Sequence, residues 1–417
     1  MISVTLKPIV SVTKSVSVRW FFCGLVLTFL VSVLGAGAQS PTGAKSPYRP
    51  ADPLNGIAFE HFYNLEFDRA VEDFQRIVNR YPDDPSAVNH LITAALFREL
   101  YRMGALNSAE YASNNFISAP HRNADPQAKE QIKHLVNRAF WLEQKRLESN
   151  AKDVDALYAR GVTRGQFAIY TALVEHAWIS ALRNAVGARH DHEKVLELLP
   201  NYVDAKLVVG AHNYVVGSLP LGVKVASSLV GIGGNKEKGL AYLREAAAGR
   251  GETSVDAKVV LVVFLRREHR FEEALQLERS LVASFPQSSL LKLEEANILR
   301  DQGKSEEAAV VYREIWQAGR NGRYPGQHYE AAAVRLGDLL RTDKKYAGAA
   351  AAYELVNQDN QADPELQQKA SLAAGQMYDL LQNRDLAIKK YQQVIALKAD
   401  NAPADSARRF LKTAYRE

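Results

Sequence analysis

From about residue 54 to residue 400, apolar side chains return at steps of three and four positions. That spacing lines one face of a helix. The positions between are filled by Ala, Leu, Glu, Gln, Lys and Arg, which cost little in a helix. No stretch alternates apolar and polar residues as a half-buried strand would. The pattern predicts an all-α chain of helices joined by short breaks. One break is Gln302-Gly303-Lys304-Ser305. Gly303 suits a left-handed residue that ends one helix. Ser305 can cap the next, and Glu306 and Glu307 then sit in its first turn, near the positive end of the helix dipole.

The breaks recur with a fixed signature. After this one come a small residue, Ala308, an aromatic four later, Tyr312, and Ile315. Ala274, Leu281 and Pro286 fall in the same register, and the step from Ala274 to Ala308 is 34 residues. The set returns at Ala349, Tyr353 and Val356 after Leu336-Gly337, and at Ala387, Tyr391 and Val394 after Gly375 and Tyr378. It is present early, at Ala70, Phe74, Ile77 and Pro82, and more weakly at Ala188, Val195 and Pro200, where His192 takes the aromatic place. Longer steps near the end place an insertion at Ala318 to Gly326, expected as a surface loop.

This arrangement resembles the tetratricopeptide repeat (TPR) family, whose period is 34 residues. The resemblance implies a right-handed α-solenoid of antiparallel helix pairs, a TPR-like superhelix with eight or more pairs here. The small residue would let the two helices of a pair touch, the ring would fill the space between units, and proline would end the second helix. Residues 205–250 differ. Gly210-Ala211-His212-Asn213-Tyr214, Gly217-Ser218-Leu219-Pro220, Gly231 to Lys236 and Gly239-Leu240 follow in order. This order is similar to the central part of the Iml2/tetratricopeptide repeat protein 39 group, a likeness that speaks to fold more than to activity.

The expected organisation is a signal peptide over 1–38, a flexible leader over 39–53, divergent helical repeats over 54–204, apolar central helices over 205–250, regular repeats over 251–400 and a capping helix over 401–417, its helical part running from Asp405 to Tyr415. The signal rests on Lys7, Lys14 and Arg19 ahead of an apolar run from Trp20 to Leu34, then Ala36-Gly37-Ala38, which points to cleavage after Ala38. The competing reading is an uncleaved membrane anchor. Cleavage lowers the net charge from +5 to +2, so the basic balance carries no argument for nucleic acid. It also removes Cys23, the sole cysteine, leaving a mature chain without disulfides.

No constellation of catalytic residues emerges, and no cofactor or metal is expected. His190-x-His192 is the one close histidine pair, but an i,i+2 pair does not share a helix face, and it is read as a polar helix start. Gly231 to Lys236 lacks the G-K-[ST] of a phosphate loop and reads as a tight turn between helices. Leu207 to Ile232 is unusually rich in Val, Gly and Leu, with only Lys224 charged. A buried helix pair is the favoured reading; the alternatives are a cavity for a small apolar ligand or a membrane contact.

In the TPR family the first helix of each pair lines a concave groove that takes extended peptides. Eight residues before three anchors stand Arg266, Arg300 and Arg341, and three residues before two of these stand Asn297 and Asp338. The fourth unit carries Gln376 and, instead of Arg, Asp379. Arg266, Asn297, Arg300, Asp338, Arg341 and Gln376 form the candidate partner-binding row, its guanidinium groups suited to carboxylates and carbonyls, and Asp379 departs from it. The function expected is an exported scaffold binding protein or peptide partners in the periplasm or cell envelope; the alternative is a carrier or membrane-associated helper using residues 207–232.

Overall fold

The computed structural model describes residues 47–106, 122–220, 224, 233–359 and 362–417. The signal segment, the first part of the leader and most of residues 221–232 lie outside them. The described residues form helices and turns and divide into two units. The first runs to Glu268 and contains α1 (Leu54–Tyr63), α2 (Phe67–Arg80), α3 (Pro85–Arg102), α4 (Pro126–Ser149), α5 (Val154–Leu173), α6 (Trp178–Leu198), α7 (Ala205–Gly217), α8 (Lys236–Ala248) and α9 (Ser254–Arg267). The second, from His269, contains α10 (Phe271–Ser284), α11 (Ser289–Asp301), α12 (Ser305–Arg320), α13 (Ala331–Thr342), α14 (Tyr346–Asn357), α15 (Pro364–Leu380), α16 (Arg384–Leu397) and α17 (Ala402–Lys412). Within each unit successive helices pack on one another, most of them across short connections, the antiparallel stacking of an α-solenoid.

The repeat signature is the core. Ala70, Ala188, Ala274, Ala308, Ala349 and Ala387 are all fully buried. So are the residues seven later: Ile77, Val195, Leu281, Ile315, Val356 and Val394. Four after the anchor come the buried rings of Phe74, Tyr312, Tyr353 and Tyr391, and of His192. Each such ring needs a gap opposite. A Cβ on Gly337 would lie 2.4 Å from the Tyr353 ring, and one on Gly375 2.6 Å from the Tyr391 ring. His192 fits the same way against Gly161, where a Cβ would come within 2.3 Å. It is therefore not at a helix start but deep in α6, with Nδ1 2.8 Å from the carbonyl of Ala188. Burial pushes its pKa down, which keeps the imidazole neutral in its apolar site. Among the described residues no group of three or more His, Cys, Asp or Glu is placed to hold a metal ion.

Gly210, Gly217, Gly234 and Gly239 have one physical cause. Helices α7 and α8 meet backbone to backbone. A Cβ on Gly239 would stand 2.4 Å from the Tyr214 amide nitrogen and 2.6 Å from the Gly210 carbonyl oxygen. Tyr214 then stacks on Phe264 of α9 at 3.9 Å. The described part of the apolar segment, α7, is thus helix core, and no described helix is long and apolar enough to cross a membrane.

Three expectations change. Residues 47–53 are packed rather than flexible. Tyr48 stacks on Phe59 at 4.5 Å, and buried Asp52 caps Leu54 N–H and accepts from Arg80. The aromatic and charged residues between the prolines supply contacts that the prolines alone hide. The insertion at 318–326 is more than a surface loop: Tyr324 is buried, and a Cβ on Gly319 would strike Tyr329 at 2.2 Å. Just after it, Gln327 bonds Ser289 N–H and the Gln287 carbonyl. The final helix ends at Lys412, and Tyr415 lies beyond it, outside any helix.

Candidate binding groove

The row read from the sequence falls on the first helices of successive pairs, and its members have different surroundings. Arg266, near the end of α9 in the first unit, is buried, with 4% of its surface exposed. Arg300 on α11 keeps 30% of its side chain exposed and bonds Asp301 through Nε (3.0 Å) and Nη2 (2.7 Å). Arg341 on α13 keeps 31%. A common register therefore does not give a common exposure, and the accessible part of the row lies in the second unit.

The residues three before Arg300 and Arg341 each accept the hydroxyl of a repeat tyrosine. Asn297 is buried and accepts the Tyr312 hydroxyl at 2.9 Å. Asp338 is exposed on one side and accepts the Tyr353 hydroxyl at 2.8 Å. The repeat tyrosine thus brings a buried ring that needs a polar partner for its oxygen, and the first helix supplies it. Burial, with the Asp338 charge, pushes the Tyr353 pKa up, and burial pushes that of Tyr312 up to about 12. In the next pair Gln376 stands at that place, and the Tyr391 hydroxyl goes instead to Asp379 at 2.8 Å. This explains why an acid replaces arginine there. The side chain of Asp379 is fully buried and also accepts from Arg384 (2.9 Å) and from the backbone N–H of Tyr415 (2.8 Å).

Arg341 is where the row converges. Its Nη1 donates to Gln376 Oε1 at 3.2 Å, joining α13 to α15. Its Nη2 donates to the Tyr415 hydroxyl at 2.7 Å, and its Nε to Glu417 Oε1 at 3.4 Å. The planar fork of arginine suits such divergent acceptors.

The first unit holds a polar centre that no sequence motif marked. Asp204, Glu252 and Asp256 are brought together with Tyr48, Tyr63, Tyr158 and His90. Tyr63 donates to Asp256 at 2.9 Å, and Thr253 donates to Asp204 through its backbone (3.0 Å) and hydroxyl (2.9 Å). Burial and the neighbouring Asp204 charge push the Glu252 pKa up to about 8, and burial also raises that of Asp256. Arg49 borders the cluster, 2.6 Å from Asp155 and over the Tyr202 ring at 4.8 Å. These acids come from well-separated segments whose spacing follows no motif. Perturbed carboxylates of this kind occur in structural cores as well as in active sites.

Residues 188–324 match the family model for Iml2/Tetratricopeptide repeat protein 39. No curated protein matches the chain. Among solved structures it is similar to PilF of Pseudomonas aeruginosa (17% identity, TM-score 0.36, covering 62% of this chain and 99% of that one). It is also similar to a tetratricopeptide repeat protein from Parabacteroides merdae (11%, TM-score 0.34, 77% and 97%). A third is the human IFIT1 dimer with m7Gppp-AAAA (14%, TM-score 0.39, 95% and 88%). With six buried small-residue anchors, the chain is an all-helical repeat protein of α-solenoid fold, and its residues 188–324 are similar to Iml2/Tetratricopeptide repeat protein 39.

Proposed function

We propose that the protein is an exported interaction scaffold that holds a protein partner through an extended segment laid along the first helices of its second unit. The repeat architecture is of the kind that serves protein interaction. The observation that carries the finer reading is the graded row: Arg300 and Arg341 are each about one-third exposed on successive first helices, and Asn297 and Asp338 beside them hold the buried tyrosines in place. A rigid helix face with part-exposed guanidinium groups suits backbone carbonyls and carboxylates of an extended chain. Binding, not catalysis, is the role these groups support.

Export, to the periplasm or cell envelope, rests on the basic, apolar and small-residue order of residues 1–38. Fractionation with N-terminal sequencing tests it; a mature chain beginning at Gln39 is the expected product, and a chain retained uncleaved with the cytosol ends this part of the reading. The groove is tested by Arg300→Glu/Arg341→Glu, leaving buried Arg266 intact. Cross-linking in cells should then lose partners that the wild type captures. An unchanged set of partners in a folded variant defeats the groove assignment.

A further inference from the structure

One end of the candidate groove of the second unit is met by the chain itself. After α17 ends at Lys412, residues 413–417 run back over α13 and α15. The Tyr415 hydroxyl accepts from Arg341 Nη2 at 2.7 Å, and the guanidinium also sits over its ring at 5.6 Å. The other side of that ring environment is Phe410, edge-on at 5.3 Å. The backbone N–H of Tyr415 donates to Asp379 at 2.8 Å. Two residues on, the Glu417 carboxylate accepts from Arg341 Nε at 3.4 Å and from the Tyr346 hydroxyl at 2.9 Å. The tail is therefore held by one backbone bond, one aromatic side chain and one carboxylate. Of the row predicted from the repeat register it engages Arg341, and beside it Asp379 and Tyr346.

The segment is also lightly held. Thr413, Arg416 and Glu417 are exposed, and Ala414 and Tyr415 are half-buried. Exposed charged contacts of this kind are individually weak. A tethered segment nonetheless has a high effective concentration at its own groove, so it excludes a competitor by proximity more than by strength.

We propose that residues 413–417 are an internal occupant of the groove, and that the partner segment it displays is an extended peptide carrying an aromatic residue two positions before an acidic one. The occupant and the partner compete for Arg341 and Asp379. This rests on the binding reading above and names its ligand chemistry. The partner's ring takes the place of Tyr415 between Arg341 and Phe410, and its carboxylate takes the place of Glu417 beside Arg341 and Tyr346.

The test uses the full chain and a fluorescein-labelled synthetic peptide of residues 410–417, read by anisotropy. Tyr415→Ala/Glu417→Ala should bind the peptide at least ~10-fold more tightly than wild type, because the tethered competitor is gone. Adding Arg341→Glu should abolish that binding. Tyr415→Phe keeps the ring on Phe410 and loses only the hydroxyl on Arg341; it should melt like wild type and show an intermediate gain. Equal peptide affinity for wild type and the tail variant, no binding to either, or binding that survives Arg341→Glu each overturns the proposal. If the peptide result fails while cross-linking of partners in cells still requires Arg300 and Arg341, the tail assignment falls and the scaffold reading stands. If the peptide behaves as stated while partner capture ignores both arginines, the scaffold reading falls alone.

Discussion

Six turns between helices place one residue in the left-handed region, five positions before a buried alanine. They are Leu65 (φ 63), His176 (φ 54), His269 (φ 56), Gly303 (φ 82), Lys344 (φ 57) and Gln382 (φ 60). Only one of the six is glycine. An L-residue there costs roughly 1–2 kcal/mol from contact between Cβ and the backbone. Glycine removes that cost and gives back about 0.4–1 kcal/mol through greater freedom of the unfolded chain. The net expectation is a gain of about 0.5–1 kcal/mol per turn wherever the side chain contributes nothing else. Lys344 and Gln382 are exposed, so Lys344→Gly/Gln382→Gly is the clean case. Gly303 is the built-in converse. A Cβ there meets nothing within 4 Å, so Gly303→Ala loses stability by backbone strain alone, about 1 kcal/mol. Leu65 is half-buried, and its glycine variant should show little net gain. Urea unfolding followed by circular dichroism reads these differences as shifts of midpoint at constant slope. Lys344→Ala and Gln382→Ala, which keep a Cβ in the turn, should be near neutral and serve as controls. A lower midpoint for the double glycine variant, or an unchanged one for Gly303→Ala, would refute the strain argument.

The acidic centre sets a pH dependence. Glu252 and Glu143 have pKa values raised to about 8 from 4.5 by burial, so the folded chain binds their protons more tightly. Their stabilisation is complete below pH ~4.5 and is lost as pH rises toward 8. Glu252→Gln should therefore raise stability at pH 8 by about 1–3 kcal/mol and change little at pH 5, measured as urea midpoints at the two pH values. His90 and His212, lowered to about 3 and about 4 by burial, act in the opposite sense: their contribution is present above pH ~6.5 and fades below it. Stability should accordingly peak in mildly acidic solution; a profile still rising between pH 7 and 8 contradicts the assignment. Gly239→Ala drives a Cβ into the α7 backbone and should cost about 2–3 kcal/mol in thermal or urea unfolding. Tyr353→Phe removes the hydroxyl bond to Asp338 and should cost about 1–2 kcal/mol; a neutral result would show that this bond does not hold the pair together.

The anchors were legible because their information is local. Ala308, Tyr312 and Ile315 lie within two turns of one helix, and their burial follows from three- and four-residue spacing. The left-handed turns were legible only at Gly303. Lys344 and Gln382 break the local rule, and packing of the flanking helices imposes their conformation. The exchange of ring for imidazole at His192 looked like a weak match. It is a matched pair with Gly161, on a different helix and 31 residues away in sequence. The arginine row was found by register, but register does not report burial, and so it could not separate Arg266 from Arg300 and Arg341. The acidic centre and the returning tail depend on partners from 36 to 193 residues apart, such as Tyr415 with Asp379, Thr253 with Asp204, Arg341 with Tyr415, and Tyr63 with Asp256. Spacing rules do not reach that far.

The end of the second unit joins two tasks that sequence would keep separate. Helix α17 covers the apolar side of α16, where Ala387, Tyr391, Val394 and Ala407 form one core with Phe410 and Leu411 against it. A terminal repeat needs such a cover to keep its apolar face from water. The same cap is tied at its far end by Arg384, which donates to the carbonyls of Phe410 (2.7 Å) and Leu411 (2.8 Å) while bonded to Asp379. Asp379 in turn holds the Tyr391 hydroxyl and the Tyr415 amide. It is thus shared between cap and groove, and its substitution would loosen both. Arg341 belongs to the groove alone: its bonds run to Gln376, Tyr415 and Glu417 and none to α17. Asp379→Asn should lower the melting temperature and free the tail together, whereas Arg341→Gln should free the tail with little change in melting. Hydrogen exchange at the Tyr415 amide separates the two, and slow exchange that persists in Arg341→Gln would show that the cap alone retains the tail.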